Sequence, residues 1–186
     1  MNSGKRFEKD WAKSINQDKI YYMRLKDSPA SFGQDSKFVR FTANNPYDNF
    51  CFYKRTLFPF ELKHTKNKLF SIQRDKKEKS KMIKLNQIEG LTRASQYKGV
   101  EAGFVFNIKN EEKNTNHTYW LDIKDFNRFL KENDKKSINE IDIINYGALY
   151  IDSTLKKISY TYEVEELFAE ILYGRKENKW DAKQKE

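Results

Sequence analysis

Apolar residues alternate with polar ones along much of the chain, and elsewhere they recur every three or four positions. The alternating runs predict strands. "KIYYMRL", residues 19–25, is the first. "DNFCFYK" and "LFPFELK", residues 48–54 and 57–63, form a pair around a turn near Arg55–Thr56. "GFVFNIK" and "HTYWLDI" form a second pair around the polar turn "NEEKNTN". Pro59 belongs where its missing N–H does no harm, at an edge or a bulge. The helical spacings fall between these runs. Ser3 caps a helix to about Asn16 with an apolar stripe at Phe7, Trp11 and Ile15, and Glu8 is aligned with that stripe. A second helix spans about Leu85 to Gln96. Asp122 caps a third, which carries Phe126, Phe129 and Leu130. Ser137 and Glu140 form a capping box for a short fourth with Ile141 and Ile144. "EVEELFAEILY" is amphipathic through Val164, Leu167, Phe168, Ile171 and Leu172.

The stretch 26–45 is polar, is punctuated by Pro29, Gly33 and the following Pro46, and holds "FVRF", a candidate short strand. It reads as a mobile loop or a protruding, stalk-like ribbon. The run 66–84, "KNKLFSIQRDKKEKSKMIK", reads as an exposed basic loop, and 175–186 as a disordered basic tail. Helix, strands, helix, strands and helices in that order predict one α/β domain over 1–174, with a central mixed β-sheet flanked by helices.

Composition narrows the function classes. Charged residues make up 34% of the 186, yet aromatics reach 15%, which excludes a disordered chain and implies an aromatic core under a wet surface. The net charge of +9 points to a polyanionic partner, nucleic acid first and an anionic membrane surface second. The acidic polar face of "EVEELFAEILY" argues against the membrane. Cys51 is the single cysteine, which excludes a disulfide framework and a cysteine-based zinc site; it reads as a buried strand thiol. No run approaches the ~18 apolar residues of a membrane span, and "MNSGKRFEKD" lacks the apolar core of a signal peptide. The expectation is a cytoplasmic protein.

"FPFELKHTK", Phe58–Lys66, carries the candidate chemistry. Strand periodicity puts Glu61 and Lys63 on one face and Phe58, Phe60 and Leu62 on the other. An acid two residues before a lysine is a weak signal. Eight such triplets begin at Asp35, Glu61, Asp75, Glu111, Asp122, Asp134, Glu177 and Asp181, where composition alone predicts roughly four. Only Glu61 and Asp122 follow an apolar strand, and Asp122 has a capping role. Asp48, 13 residues upstream on the neighbouring strand, is the partner a hairpin brings to Glu61. Two carboxylates supply hard oxygen ligands for Mg²⁺, and Lys63 adds a point charge for a water or a phosphate oxygen. Glu8 is placed to orient a water or help hold a second ion. The bland alternative is an ordinary cross-strand ion pair. His64 adjoins the site and could contact a phosphate, although a solvated loop histidine is the simpler reading. His117 belongs in a turn. Lys5, Arg6, Lys66 and Lys68 are candidate phosphate contacts, or else a solvated surface.

Asp48 followed by Glu61-Leu62-Lys63 at a strand end, after a helix bearing "GKRFEKD", resembles the PD-(D/E)xK nuclease superfamily. Within it the chain looks like the RecU-type Holliday junction resolvases of phages and low-GC bacteria. The likeness runs from about Ser3 to Tyr160 through "NSGKRFE", "FELKHTKNK", "KLNQIEGL", "GFVFNI", "TYWLDI" and "KSINEIDIINYG". It implies a restriction-endonuclease-like fold. It also implies that Asp48, Glu61 and the Leu62 carbonyl bind Mg²⁺ or Mn²⁺, that Lys63 is catalytic, that Glu8 is an accessory acid and that Gln87 supports the site. The partner it implies is DNA, preferably four-way junctions, bound by a homodimer with a stalk in the place of 26–45. Two departures stand out: the stalk segment is short and polar, and a basic insertion runs from Leu69 to Lys81. Two other classes stay open. One is a restriction or repair nuclease of the same superfamily, and the other is a non-catalytic DNA-binding recombination protein.

Overall fold

The computed structural model describes residues 2–25 and 45–174. The stretch 26–44, with the expected stalk and the "FVRF" strand, and the tail 175–186 lie outside the described residues. Along the chain the elements are α1 (Ser3–Ser14), β1 (Tyr21–Arg24), β2 (Asn49–Tyr53), β3 (Thr56–Thr65), β4 (Leu69–Ser71), α2 (Leu85–Ala94), β5 (Gly103–Asn110), β6 (Thr115–Asp122), α3 (Ile123–Glu132), β7 (Ser137–Asn139), α4 (Glu140–Asn145), β8 (Leu149–Tyr150), β9 (Ser153–Lys156), β10 (Ser159–Tyr162) and α5 (Val164–Tyr173).

A six-stranded sheet in the order β1-β2-β3-β5-β6-β8 is the centre of the fold. It is mixed, as expected: β3 and β5 run parallel, and every other neighbouring pair is antiparallel. A parallel pair needs a crossover, and the chain between β3 and β5 supplies it with β4 and α2. Each sheet face has its own core. Phe104, Phe106 and Leu121 pack with Leu91, Phe126 and Phe129 under α2 and α3. Phe58, Phe60, Val105 and Trp120 pack with Phe7, Trp11, Leu167 and Phe168 under α1 and α5. Strands buried on both faces read as near-continuous apolar runs, which is why "GFVFNI" shows so little alternation.

The β2–β3 hairpin turns on Lys54 and Arg55, both in the left-handed region at φ 45° and 71°. Two consecutive positive φ values match the right-handed twist of the flanking strands, so the two-residue turn fixes the register without glycine. Pro59 departs from expectation: it lies in an inner strand, opposite Phe50. Its missing N–H is harmless because it falls between an isolated Leu57↔Val100 bridge and the first β5 pair, Phe60↔Gly103.

The basic run 66–84 is not a plain loop. Its β4 pairs with β7, and Phe70, Ile72 and Ile83 are fully buried. Arg74 donates to the Leu130, Asn133 and Lys135 carbonyls, capping the end of α3. Three apolar residues in a lysine-rich stretch carry no periodicity that a sequence reader can use. Smaller corrections have local causes. Asn2, rather than Ser3, caps α1 by accepting from Gly4 N. Asn139 and Asp142 box the start of α4 because Ser137 is committed to β7, and Ile143 is its buried residue while Ile141 and Ile144 are exposed. His117 sits in β6 rather than in a turn. Among the described residues no helix is long and apolar enough to cross a membrane.

Candidate active site

The β2–β3 register pairs Asn49 with Phe60, so the next position along the ladder sets Asp48 opposite Glu61. The Asp48 backbone is held from two sides. Its carbonyl accepts from Leu25 N at 2.8 Å. Two residues before it, Pro46 lies on α2 at Gly90, where a Cβ would come within 2.2 Å of the Pro46 carbonyl oxygen. Only glycine permits that approach.

Glu61 is fully buried and Lys63 is 9% exposed. Both face α2, opposite Phe58 and Phe60, as the strand alternation predicts. Lys63 Nζ donates to Glu61 Oε2 at 3.1 Å and to Gln87 Oε1 at 2.9 Å. Gln87 Nε2 donates to the same Glu61 oxygen at 2.6 Å. The Gln87 oxygen also accepts from Lys84 N at 3.0 Å. Two obligate donors therefore fix which way its amide points. Gln87, in the first turn of α2, both satisfies a backbone N–H there and ties the helix to the site.

Glu61 Oε1 is buried and accepts no hydrogen bond from an N–H donor among the described residues; the group set against the Glu61 carboxyl is the Asp48 carboxyl. Burial pushes the Glu61 carboxyl up to about 8; the Lys63 ammonium pulls it back and the neighbouring Asp48 carboxyl adds to the rise. A buried acceptor without a donor costs free energy, and a carboxyl beside a second carboxyl is relieved by a proton or by a cation. Strand register turns the Leu62 carbonyl, one residue beyond Glu61, toward the edge from which Asp48 enters. Leu57 exchanges bonds with Gly99 and Glu101 on the β5 side, so even-numbered residues of β3 turn their polar groups toward β2. Leu62 lies beyond the last β2–β3 pair. Two carboxylates and a carbonyl are the oxygen donors that suit a hard divalent cation, which completes its shell with water. Among the described residues no three His, Cys, Asp or Glu side chains cluster into a metal site, so any ion here relies on that carbonyl and on solvent.

Asp48, Glu61, Lys63 and Gln87 thus come together, with the Leu62 backbone between Glu61 and Lys63. The other candidates do not join them. Glu8 is half-buried and pairs with Arg24 at 2.8 Å on the α1 side of the sheet. The buried acid of α1 is Asp10, which accepts from Tyr160 N at 3.1 Å and serves the β9–β10 hairpin. His64 is a half-buried strand residue on the α1 face, with Nδ1 2.6 Å from Asn107 Oδ1. Lys5 and Arg6 are exposed on α1. Lys66 pairs with Glu111 at 2.6 Å, and Lys68 sits in a left-handed turn before β4. Pro46 reads in the sequence only as punctuation and Gly90 carries no motif; a glycine inside an amphipathic helix is the signal that points to their close contact.

The architecture is a restriction-endonuclease-like α/β fold. It superposes on the solved structure of Archaeoglobus fulgidus Hjc, a Holliday junction resolvase from an archaeal hyperthermophile. The TM-score is 0.50 at 16% identity, over 79% of this chain and 95% of that one. No family model matches the chain. It is 34% identical over 182 residues to the SPbeta prophage-derived uncharacterized protein YotM of Bacillus subtilis (strain 168), across 92% of this chain and 87% of that protein. The chain belongs to the YotM family.

Proposed function

We propose that this protein is a divalent-metal-dependent, structure-specific DNA endonuclease of the RecU type, which resolves four-way junctions as a homodimer using Mg²⁺ or Mn²⁺. The observation that carries the reading is the buried Glu61 carboxyl, which no N–H among the described residues satisfies at Oε1, set against Asp48 with Lys63 braced beside it by Gln87. An ordinary ion pair has no reason to set a second carboxyl against a fully buried carboxylate oxygen. The likeness of fold to a junction resolvase and the net charge of +9 support the same reading.

Asp48, Glu61 and the Leu62 carbonyl would hold the ion, which when bound supplies Lewis acidity and charge neutralisation at a phosphodiester. Lys63 spends two of its three N–H donors on Glu61 and Gln87. The third meets no partner among the described residues and can serve a phosphate oxygen or the attacking water. Fixing the ammonium in advance removes the reorganisation a mobile lysine would need in the transition state. The test is incubation of a labelled four-way junction and of a linear duplex with the protein, with and without Mg²⁺ or Mn²⁺. Metal-dependent cutting confined to the junction is the expected result. No cutting of either substrate sinks the nuclease reading, and equal cutting of both sinks the junction preference.

A further inference from the structure

A cavity of about 230 Å³ lies beside the candidate active site, lined by Tyr47, Leu57, Gly90, Arg93, Tyr97 and Val100, among others. Its walls are the elements that build the site. Tyr47 immediately precedes Asp48, Gly90 follows Gln87 by three residues on α2, and Leu57 shares the β3 face of Glu61 and Lys63. Tyr97 stands 67% exposed at its rim. Arg93 is exposed, and no ion pair joins it to a described residue. Lys98 is exposed in the same turn. No acidic side chain is found among the described lining residues. The opening continues over an uncovered strip of the same sheet face, because Leu57 pairs with Phe52 and Phe52 with Tyr21, which are 48% and 54% exposed.

The volume is below the ~300 Å³ at which pockets for drug-sized ligands begin, and it suits one flat ring system. Two tyrosine rings, Tyr47 and Tyr97, on an otherwise aliphatic wall with a cationic rim offer what an unpaired base and its phosphate require. Bases stack on aromatic rings regardless of sequence, and arginine adds a phosphate contact or a cation–π contact. A base in a continuous duplex is stacked and paired and cannot enter. A base at a strand exchange point can leave its stack at lower cost. We propose that this cavity receives one unpaired nucleobase of branched DNA, flanking the phosphate presented to Asp48, Glu61 and Lys63. The inference rests on the nuclease reading and deepens it, since it gives the enzyme a means of sensing branch points.

The experiment measures the affinity of wild-type protein and Tyr97→Ala, in chelator, for a four-way junction and a linear duplex of the same sequence. The junction carries 2-aminopurine at each branch-point nucleotide in turn. Tyr97 is largely exposed, so its removal leaves the core intact. Wild-type protein is expected to change the aminopurine emission at one branch nucleotide. Tyr97→Ala is expected to abolish that change and to lose about tenfold more affinity for the junction than for the duplex. Equal losses on the two DNAs, or an emission change that survives the substitution, overturn the cavity inference while leaving the nuclease reading standing. A change of oligomeric state in Tyr97→Ala by sedimentation, with both affinities intact, overturns it in favour of a second copy of the chain on this surface. Failure of the wild type to bind either DNA overturns both readings.

Discussion

Glu61 joins full burial to a carboxyl whose pKa is raised to about 8, chiefly by that burial. In the unfolded chain the same group loses its proton near the ordinary glutamate value of ~4.3. Between those values the folded state binds more protons, so stability falls as pH rises through that window. In chelator, the urea midpoint of the wild type is expected to drop more between pH 5 and pH 8 than that of Glu61→Gln. Saturating Mn²⁺ should offset much of the wild-type drop, and equal drops in the two proteins would show that Glu61 is not its source. The two histidines separate in the opposite sense. Burial holds His64 below its ordinary value. The Glu140 carboxylate, 2.6 Å from His117 Nδ1, holds His117 above its own. An NMR titration should show one imidazole on each side of ~6.5, with the higher one falling in Glu140→Gln. The stability His117 contributes is complete below pH ~6.5 and is lost as pH rises through its folded value.

At the scale of elements, the site is an outcome of register and of one close contact. The turn at Lys54 and Arg55 sets a ladder in which Asp48 meets Glu61. Gly90 lets Pro46 rest on α2, which brings that helix and its Gln87 against the pair. A Cβ at this position meets backbone rather than a flexible side-chain tip, so the strand entry or the helix must move. Gly90→Ala is expected to destabilise the fold by about 1–3 kcal/mol, as overpacking does. It should also weaken Mn²⁺ binding, read by calorimetry, in a protein that remains folded by circular dichroism. Unchanged metal affinity would mean that the Pro46–Gly90 contact does not position Asp48.

Among the described residues the central six-stranded sheet carries a core on each face, with the candidate site on the α2 side and much of the basic surface spread over α1, the β4 excursion and the loops. A net charge of +9 used against phosphates releases counterions. The logarithm of the junction association constant should therefore fall linearly with the logarithm of salt concentration, by orders of magnitude between 50 mM and 200 mM. A flat response would show that the lysines serve solubility rather than binding.

Strand alternation was enough to place Glu61 and Lys63 on one face, to order the strands around the Asp48 hairpin, and to anticipate an α/β domain with a mixed sheet. These are properties of local period and turn chemistry, and local sequence carries them. The residues that failed to converge show the other side. Glu8 matched the apolar stripe by spacing, yet the helix rotation set by Phe7 and Trp11 buries Asp10 and leaves Glu8 to Arg24. His64 follows Lys63 directly, but a strand sends neighbours to opposite faces, and its partner is Asn107. Phe70, Ile72 and Ile83 are buried inside a lysine-rich run because β7 arrives from 66 residues away to pair with it. The sequence by itself determined which side chains share a strand face and which chemistry they could offer. Only the tertiary structure decided which of them meet, because convergence depends on helix rotation, strand register and backbone contacts between segments far apart in the chain.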